Sequence, residues 1–459
     1  MTPTYKATLL HMSLQELVVE DLFDEFTHKI AFRTQEGLTI LHGPNGVGKT
    51  TVLKVLDNLF NKKFTALRRM PLSGLQVSFS EGDRIQITKK HTGTDKPKSE
   101  RTSLEFILTP TTGRARTWSL AASDPGRYDL PVSIIEEIIP EVSRVSARQW
   151  QSDITGELLT VDDIVDLYGE RLPGVITSRT GRTEVPEWLT SILSRVPVYF
   201  IEADRLSSVA MPRSRAHRVG RDSLQTATVL LYAEDLSEKI KKAKADYGDY
   251  SQTLDSTFPA RLLQGVKPST IPTDKGIRDR YNDQAARRTR YVKAGLLDSG
   301  DELKLPDRIF EDWELRVLDA YLTDVDNKLL QLDNIADKLE LFLQIVNSKF
   351  RRKEILIDRQ RGLKATTIPK GEALDLTSLS SGEQQELVLA YGLLFREDPG
   401  TLILLDEPEL SLHVTWQTDL IPDLLRISEL SQLEFLVATH SPQIINDRWD
   451  LTDELSDGA

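Results

Sequence analysis

The chain contains no cysteine. That excludes a disulfide framework, a thiolate zinc site and a cysteine nucleophile, and it agrees with a reducing compartment. The seven histidines are scattered without metal-ligand spacing. No apolar run approaches the length of a bilayer-spanning helix, and the stretch from Met1 to His11 has too little apolar character for a signal peptide. A cytoplasmic chain with no membrane partner is therefore expected. Positive charge is in deficit: a formal net charge of −12 argues against a surface that binds nucleic acid nonspecifically and leaves only local basic patches for that purpose. With 39% hydrophobic and 28% charged residues over 459 positions, no fibrous or disordered class fits, and two or three domains with a substantial core are expected.

What is present begins with Gly43-Pro44-Asn45-Gly46-Val47-Gly48-Lys49-Thr50, a complete phosphate-binding loop pattern. It follows a strand-like run, Leu38 to Leu41, and opens a helix-like one from Thr51 to Leu56. Glycines are needed there because the loop curls with its backbone N–H groups pointing at phosphate oxygens, and a Cβ would block either the backbone angles or the close approach. Lys49 supplies a point charge for the β- and γ-phosphates, Thr50 a hydroxyl for Mg²⁺, and Thr51 the next position of the nucleotide-contacting turn. ATP and Mg²⁺ are the cofactors this pattern calls for.

Short alternating segments follow: Leu75 to Phe79, Arg84 to Ile87, Leu104 to Leu108 and Thr117 to Leu120. Their period of two, with turn residues between, predicts an antiparallel meander flanking the nucleotide core. The stretch from about Ile134 to Leu193 reads as mostly helical, broken by Pro140, Pro173 and Pro186. Val196 to Ile201 reads as a buried strand ending in the polar cluster Glu202, Asp204 and Arg205.

The middle third differs in kind. Val229, Ala233, Leu236, Ile240, Ala243 and Tyr247 follow four-three spacing, and the series Leu315, Leu318, Leu322, Val325, Leu329, Leu332, Ala336, Leu339, Leu343, Val346, Phe350 keeps heptad phase for about five repeats. Two helices separated by a proline-containing stretch (Pro259, Pro268, Pro272) predict an antiparallel helical arm. Basic residues gather around it: Arg213, Arg215, His217, Arg218 and Arg221 before, Arg287, Arg288, Arg290 and Lys293 inside, Arg351, Arg352 and Lys353 after. On one face they would neutralise phosphates and make nucleic acid a candidate partner; as a solvated face, diluted by Asp222, Asp279 and Asp283, they would not.

Near the C-terminus the apolar run Leu402 to Leu405 leads into Asp406-Glu407-Pro408-Glu409. A fully apolar run of this kind is a buried parallel strand, and its carboxyl end is where a ligand crevice forms. In this Walker B pattern Asp406 holds the Mg²⁺ shell and Glu407 orients or deprotonates the attacking water. A second apolar strand, Glu434 to Ala438, ends in Thr439-His440-Ser441-Pro442, which places His440 to sense the γ-phosphate. Between the loop and Walker B lies Leu379-Ser380-Ser381-Gly382-Glu383-Gln384-Gln385, preceding an apolar helix. Ser380 and Gly382 at that helix N-terminus form an anion site from hydroxyl, backbone N–H and helix dipole.

This heptapeptide resembles the signature motif of the ABC ATPase superfamily, whose LSGGQ sequence binds the γ-phosphate of the nucleotide held by the opposite subunit. The resemblance implies an α/β fold: an ABC-type P-loop ATPase head, with a mixed or parallel sheet, helices and an antiparallel meander, interrupted by a helical, coiled-coil-like insertion. About 330 residues separate Thr50 from Ser380, an insertion similar to those of the SMC, RecF and OLD group. Within that group the motifs Asp406 to His413 and Ala438 to Pro442 look most like the OLD-type ATPases of bacteria, the AAA family ATPases found in antiphage systems such as PARIS, Septu, Gabija and retron-linked modules. The resemblance implies segments 1–205 (N-terminal part of the head), 206–370 (helical arm) and 371–459 (C-terminal part of the head). It also implies ATP hydrolysis, with Glu407, His440 and Lys49 as catalytic residues, a head dimer closing on ATP or a higher homo-oligomer, and a separate nuclease or toxin effector, since no nuclease domain fits in the residues after His440. A RecF- or SMC-like DNA-binding role in repair or chromosome maintenance is the alternative. Phe23 or Phe26 is expected to stack on adenine, and His413 to shape the subunit interface.

Overall fold

A computed structural model describes residues 12–91, 102–120, 142–146, 149–152, 158–160, 185–201, 221–263, 272–298, 305–410 and 412–455, with isolated positions between. Two compact units emerge, one of residues 1–221 with 397–459 and the other of residues 222–396. The division leaves Ser380 and Gly382 in the unit that carries the long helices. The basic residues at 213–218 and the cluster at 202–205 lie outside the described residues.

The first unit contains a five-stranded sheet in the order β11 (Val198–Ile201), β15 (Leu402–Asp406), β16 (Glu434–Ala438), β3 (Leu38–His42) and β17 (Thr452–Glu454). All four pairings are parallel. Every residue of β15 is buried, as a strand covered on both faces must be. Register decides what meets at the carboxyl ends: Asp406 is opposite Ala438, and Ala438 opposite Leu41, so the Walker B acid, the Thr439-His440 turn and the phosphate loop leave neighbouring strands at one level. Helix α1 (Lys49–Phe60) follows the loop and buries Val52, Leu53, Leu56, Leu59 and Phe60.

The expected meander is present as β4 (Gly74–Phe79), β5 (Arg84–His91), β6 (Thr102–Thr109) and β7 (Arg116–Leu120). It is extended by β1 (Leu14–Leu22) and β2 (Phe26–Ala31) into a six-stranded antiparallel sheet, β2-β1-β4-β5-β6-β7. Helix α2 (Phe64–Arg69) sets Phe64 against Phe106 and Trp118 of this sheet. The helical expectation for 134–193 is corrected in part: the isolated residues Ile135, Ile164 and Tyr168 are helical, as is the end of the stretch, but strands stand between. Strands β8 (Val142–Ser146), β9 (Gln149–Ser152) and β10 (Leu158–Thr160) form a small antiparallel sheet, and α3 (Glu187–Ser194) lies at the end of the stretch. Leu159 and Trp150, opposite each other in it, are buried, a period-two pairing too short to stand out from the proline-broken background.

The second unit holds α4 (Arg221–Leu263), α5 (Asp274–Lys293) and α6 (Asp312–Lys349), then a sheet of β12 (Lys353–Asp358), β13 (Gly362–Thr367) and β14 (Ala373–Leu374), then α7 (Ser381–Phe395). Three helices stand where two were expected. Pro259 lies inside α4 rather than in a linker, and Thr273 caps α5 by accepting from the Gly276 N–H at 3.1 Å. Helices α4 and α6 run antiparallel, since Arg261 pairs with Asp324 and Asp255 with Lys328, both at 2.6 Å. Helix α5 runs parallel to α6: Arg280 bridges Asp319 and Asp326, Arg287 bridges Asp333, and Arg290 bridges Asp337 and Glu340. Asp319, Asp326, Asp333 and Glu340 are spaced by seven, as are the buried α5 residues Ile277, Gln284 and Tyr291. Two of those three seam positions are polar, which hid α5 from a search for apolar periodicity. The Gln284 amide donates to the Leu322 carbonyl and to Asp326, and the Tyr291 hydroxyl to Asp333. Burial and Asp333 push the Tyr291 phenol up to about 12. Gly362, at φ +75°, turns the β12–β13 hairpin onto α4, where an added Cβ would lie 1.8 Å from the Ala233 carbonyl oxygen.

Candidate nucleotide site

The loop after β3 curls through left-handed glycines, Gly46 at φ +95° and Gly48 at φ +96°. A Cβ on Gly48 would meet Leu22 at 2.4 Å and Phe23 at 3.3 Å, and one on Gly43 the Leu455 carbonyl oxygen at 2.4 Å. A Cβ on Gly46 would meet nothing within 4 Å, so at that position only the left-handed backbone asks for glycine. Pro44, Asn45 and Gly46 are exposed, while Val47 and Lys49 are buried. The Lys49 ammonium folds over the loop and donates to the carbonyls of Gly43 (2.8 Å) and Pro44 (3.0 Å). Buried His28 supports the loop from beneath, its Nε2 2.7 Å from the Val47 carbonyl oxygen. That brace was not read from the sequence; its only signal is an inward position in an alternating strand.

The Thr50 hydroxyl donates to Asp406 Oδ1 at 2.9 Å, joining the first turn of α1 to the end of β15. Thr51 is the third residue of the same helix and half buried. The chain turns sharply after Asp406: Glu407 sits at φ +42°, its N–H donating to the Ala438 carbonyl at 2.8 Å. A left-handed non-glycine residue at this point is strain held by the surrounding sheet. His440, on the neighbouring strand end, has Nδ1 3.6 Å from Glu407 Oε1 and 3.1 Å from Glu409 Oε1. The geometry thus brings together Lys49, Thr50, Asp406, Glu407 and His440 in one unit. A hydroxyl beside one carboxylate suits Mg²⁺, which takes few protein oxygens and fills its octahedron with phosphates and water. A glycine-rich loop at a helix N-terminus, with a lysine folded over it, suits phosphate.

Ser380 and Gly382 stand in the other unit, at the start of α7. The Ser380 hydroxyl accepts from the Glu383 N–H (3.4 Å), and Glu383 accepts from the Ser380 N–H (2.8 Å), a reciprocal cap. Lys353 of β12 holds Glu383 at 2.7 Å. Burial raises the Glu383 carboxyl, but Lys353 and Ser380 outweigh it and keep it below its ordinary value. In the interior of this unit Lys349 of α6 pairs with Glu386 of α7, both side chains almost fully enclosed.

Among the other expected positions, Phe23 is exposed at the β1–β2 turn beside Gly48, whereas Phe26 is buried and stacked on His28. His413 caps α8 (Val414–Ser431): its Nδ1 accepts from the Thr415 N–H at 3.3 Å. Of the arm cations, Arg287 and Arg290 are engaged by carboxylates, while Arg288, Lys293, Arg351 and Arg352 are exposed.

The parallel sheet with this loop and these strand-end acids is the architecture of a P-loop nucleotide site. Residues 254–446 match the family model described as "AAA domain, putative AbiEii toxin, Type IV TA system", a match that takes in Ser380, Asp406, Glu407 and His440 and stops short of the phosphate loop. No curated protein matches the sequence. Among solved structures, the chain is similar to the Smc head domain with an extended coiled coil bound to the C-terminal domain of ScpA, derived from Pyrococcus furiosus. Identity is 13%, TM-score 0.35, with 98% of this chain and 95% of that one covered. It is also similar to an Smc head bound to the C-winged helix domain of ScpA, at 12% identity and TM-score 0.29, with 94% and 91% covered.

Proposed function

We propose that the chain is an ATP-hydrolysing ABC-type switch whose heads dimerise around ATP and which controls a separate effector in prokaryotic antiphage defence. The observation that carries the ATPase part is the 2.9 Å bridge from Thr50 to Asp406, which joins the phosphate loop to the Walker B strand with Glu407 and His440 beside it. Lys49, now on the Gly43 and Pro44 carbonyls, would hold phosphate oxygens, and Thr50 and Asp406 would hold Mg²⁺. When bound, Mg²⁺ would supply charge that neutralises the phosphates. Glu407 holds and deprotonates water, and His440 orients beside it. Ser380 and Gly382 present hydroxyl and N–H groups to the nucleotide of a second subunit, so that turnover depends on the dimer.

The defence role draws on the OLD-like motifs and on the matched model, whose description names a toxin of a type IV TA system. For the DNA-binding alternative, α6 carboxylates neutralise Arg287 and Arg290, while Arg288, Lys293, Arg351 and Arg352 stay exposed and could meet phosphates. Affinity purification of Glu407→Gln with ATP from the native host is the test. A stoichiometric partner protein is the expected result, and recovery of DNA alone would sink the defence reading.

A further inference from the structure

Strand β2 alternates, and its inward face is made of Phe26, His28 and Ile30. His28 is the polar member of that face and is 4% exposed. A buried imidazole needs a hydrogen-bond partner, and this one finds it in the phosphate loop, where Nε2 lies 2.7 Å from the Val47 carbonyl oxygen. A carbonyl has no hydrogen to give, so the hydrogen of this bond sits on Nε2. Phe26 stacks on the same ring, with the planes 8° apart, and limits its rotation.

A trans peptide is planar, and the C=O of one residue points opposite to the N–H of the next. The Val47–Gly48 bond is trans. Holding the Val47 carbonyl toward β2 therefore aims the Gly48 N–H away from β2. That N–H has no acceptor among the described residues, and it stands at the start of α1, among the unpaired donors of a helix N-terminus. Gly48 is confined from the same hairpin: at φ +96°, a Cβ on it would lie 2.4 Å from Leu22 and 3.3 Å from Phe23. The Gly43 and Pro44 carbonyls are held by Lys49, a group of the loop itself, whereas the Val47 carbonyl is held from outside the loop. Its donor is thus independent of what Lys49 does.

We propose that His28 is a positioning residue of the nucleotide site: its Nε2–H fixes the Val47–Gly48 peptide plane and so presents the Gly48 N–H to a phosphate of the nucleotide. The proposal rests on the ATPase reading for its ligand and on the Val47 hydrogen bond for its geometry.

The test uses the full chain and two variants. His28→Phe keeps a ring against Phe26 and removes the donor, while His28→Gln keeps an N–H at about the reach of Nε2. Calorimetric titration with Mg·ADP should give a Kd raised about tenfold in His28→Phe and restored to within about threefold of wild type in His28→Gln. In turnover KM should rise with the loss of affinity and kcat should change less than about threefold, because this contact to phosphate is made in ground and transition states alike. In ¹⁵N-histidine spectra of the nucleotide-free protein the His28 signal, assigned by its loss in His28→Gln, should show hydrogen on Nε2. A wild-type ring protonated at Nδ1 alone overturns the proposal. So does a folded His28→Phe that binds Mg·ADP as wild type does, with only a lowered melting temperature, and so does equal loss in both variants, which would make ring shape rather than the donor the cause. Should His28→Phe fail to fold, His28→Asn, whose shorter amide falls short of Val47, takes its place. A wild type that binds neither Mg·ADP nor Mg·ATP would sink the nucleotide reading instead, and the spectra would still decide the bond to Val47.

Discussion

The two compact units position their polar groups by opposite means. In the unit of residues 1–221 and 397–459, Asp406, Glu407 and His440 stand at the ends of apolar strands, and their relative places follow from strand register in a sheet whose β15 is entirely buried. In residues 222–396, α5 lies along α6 through a ladder of arginines and carboxylates at heptad spacing, over a seam in which Gln284 and Tyr291 replace apolar residues. Water-excluded apolar packing resists salt, whereas half-exposed ion pairs are screened by it. One unit is thus built to hold a geometry, and the other to hold a helix through contacts that ionic conditions can weaken.

The sharpest break in the comparison is chemical. Glu407→Gln should lower turnover by about two to four orders of magnitude while keeping ATP binding, measured by steady-state hydrolysis beside fluorescent-nucleotide titration; retained turnover would remove Glu407 from its role. Next comes the core of the sheet: Leu404→Ala should cost about 2–5 kcal/mol in denaturant unfolding, with the loss independent of salt. In the helical unit, Arg261→Ala leaves the buried Asp324 carboxylate without its guanidinium, and should cost about 1–3 kcal/mol. Raising NaCl to 1 M, where the screening length falls to about 3 Å, should speed hydrogen exchange in α5 and leave β15 and β16 unchanged. Equal sensitivity in both units would erase the distinction.

The smallest effect concerns pH. Glu383 is held below its ordinary carboxyl value by Lys353 and Ser380 against the opposing effect of burial. Its folded pKa being depressed, the cap of α7 contributes stability above the unfolded carboxylate pKa and loses it as pH falls through the folded value. Acid titration of Lys353→Ala should show this loss beginning at higher pH than in wild type.

The difference between the units also explains what could be read in advance. The runs Leu402 to Leu405 and Phe435 to Ala438 announce buried strands, and motif chemistry then names Asp406, Glu407 and His440 at their ends and Thr50 at the start of α1. The helix of residues 274–293 was not legible because its seam is written in Gln284, Tyr291 and charge. Glu409 was hidden among three acids in four residues: which one meets His440 depends on the left-handed turn at Glu407 and on the pairing of Asp406 with Ala438, and neither is a property of local sequence. The small sheet of β8, β9 and β10 was missed because strands of three to five residues carry too few alternations to outweigh a helical background.

The central claim is that the site with Thr50 and Asp406 is half of a composite site completed by Ser380 of a second copy. Sedimentation of Glu407→Gln with Mg·ATP tests it most directly. The account predicts a doubling of mass with ATP that is absent with ADP and absent in Lys49→Ala or Ser380→Arg. A Glu407→Gln chain that binds ATP tightly and keeps the same mass with and without it would contradict the account.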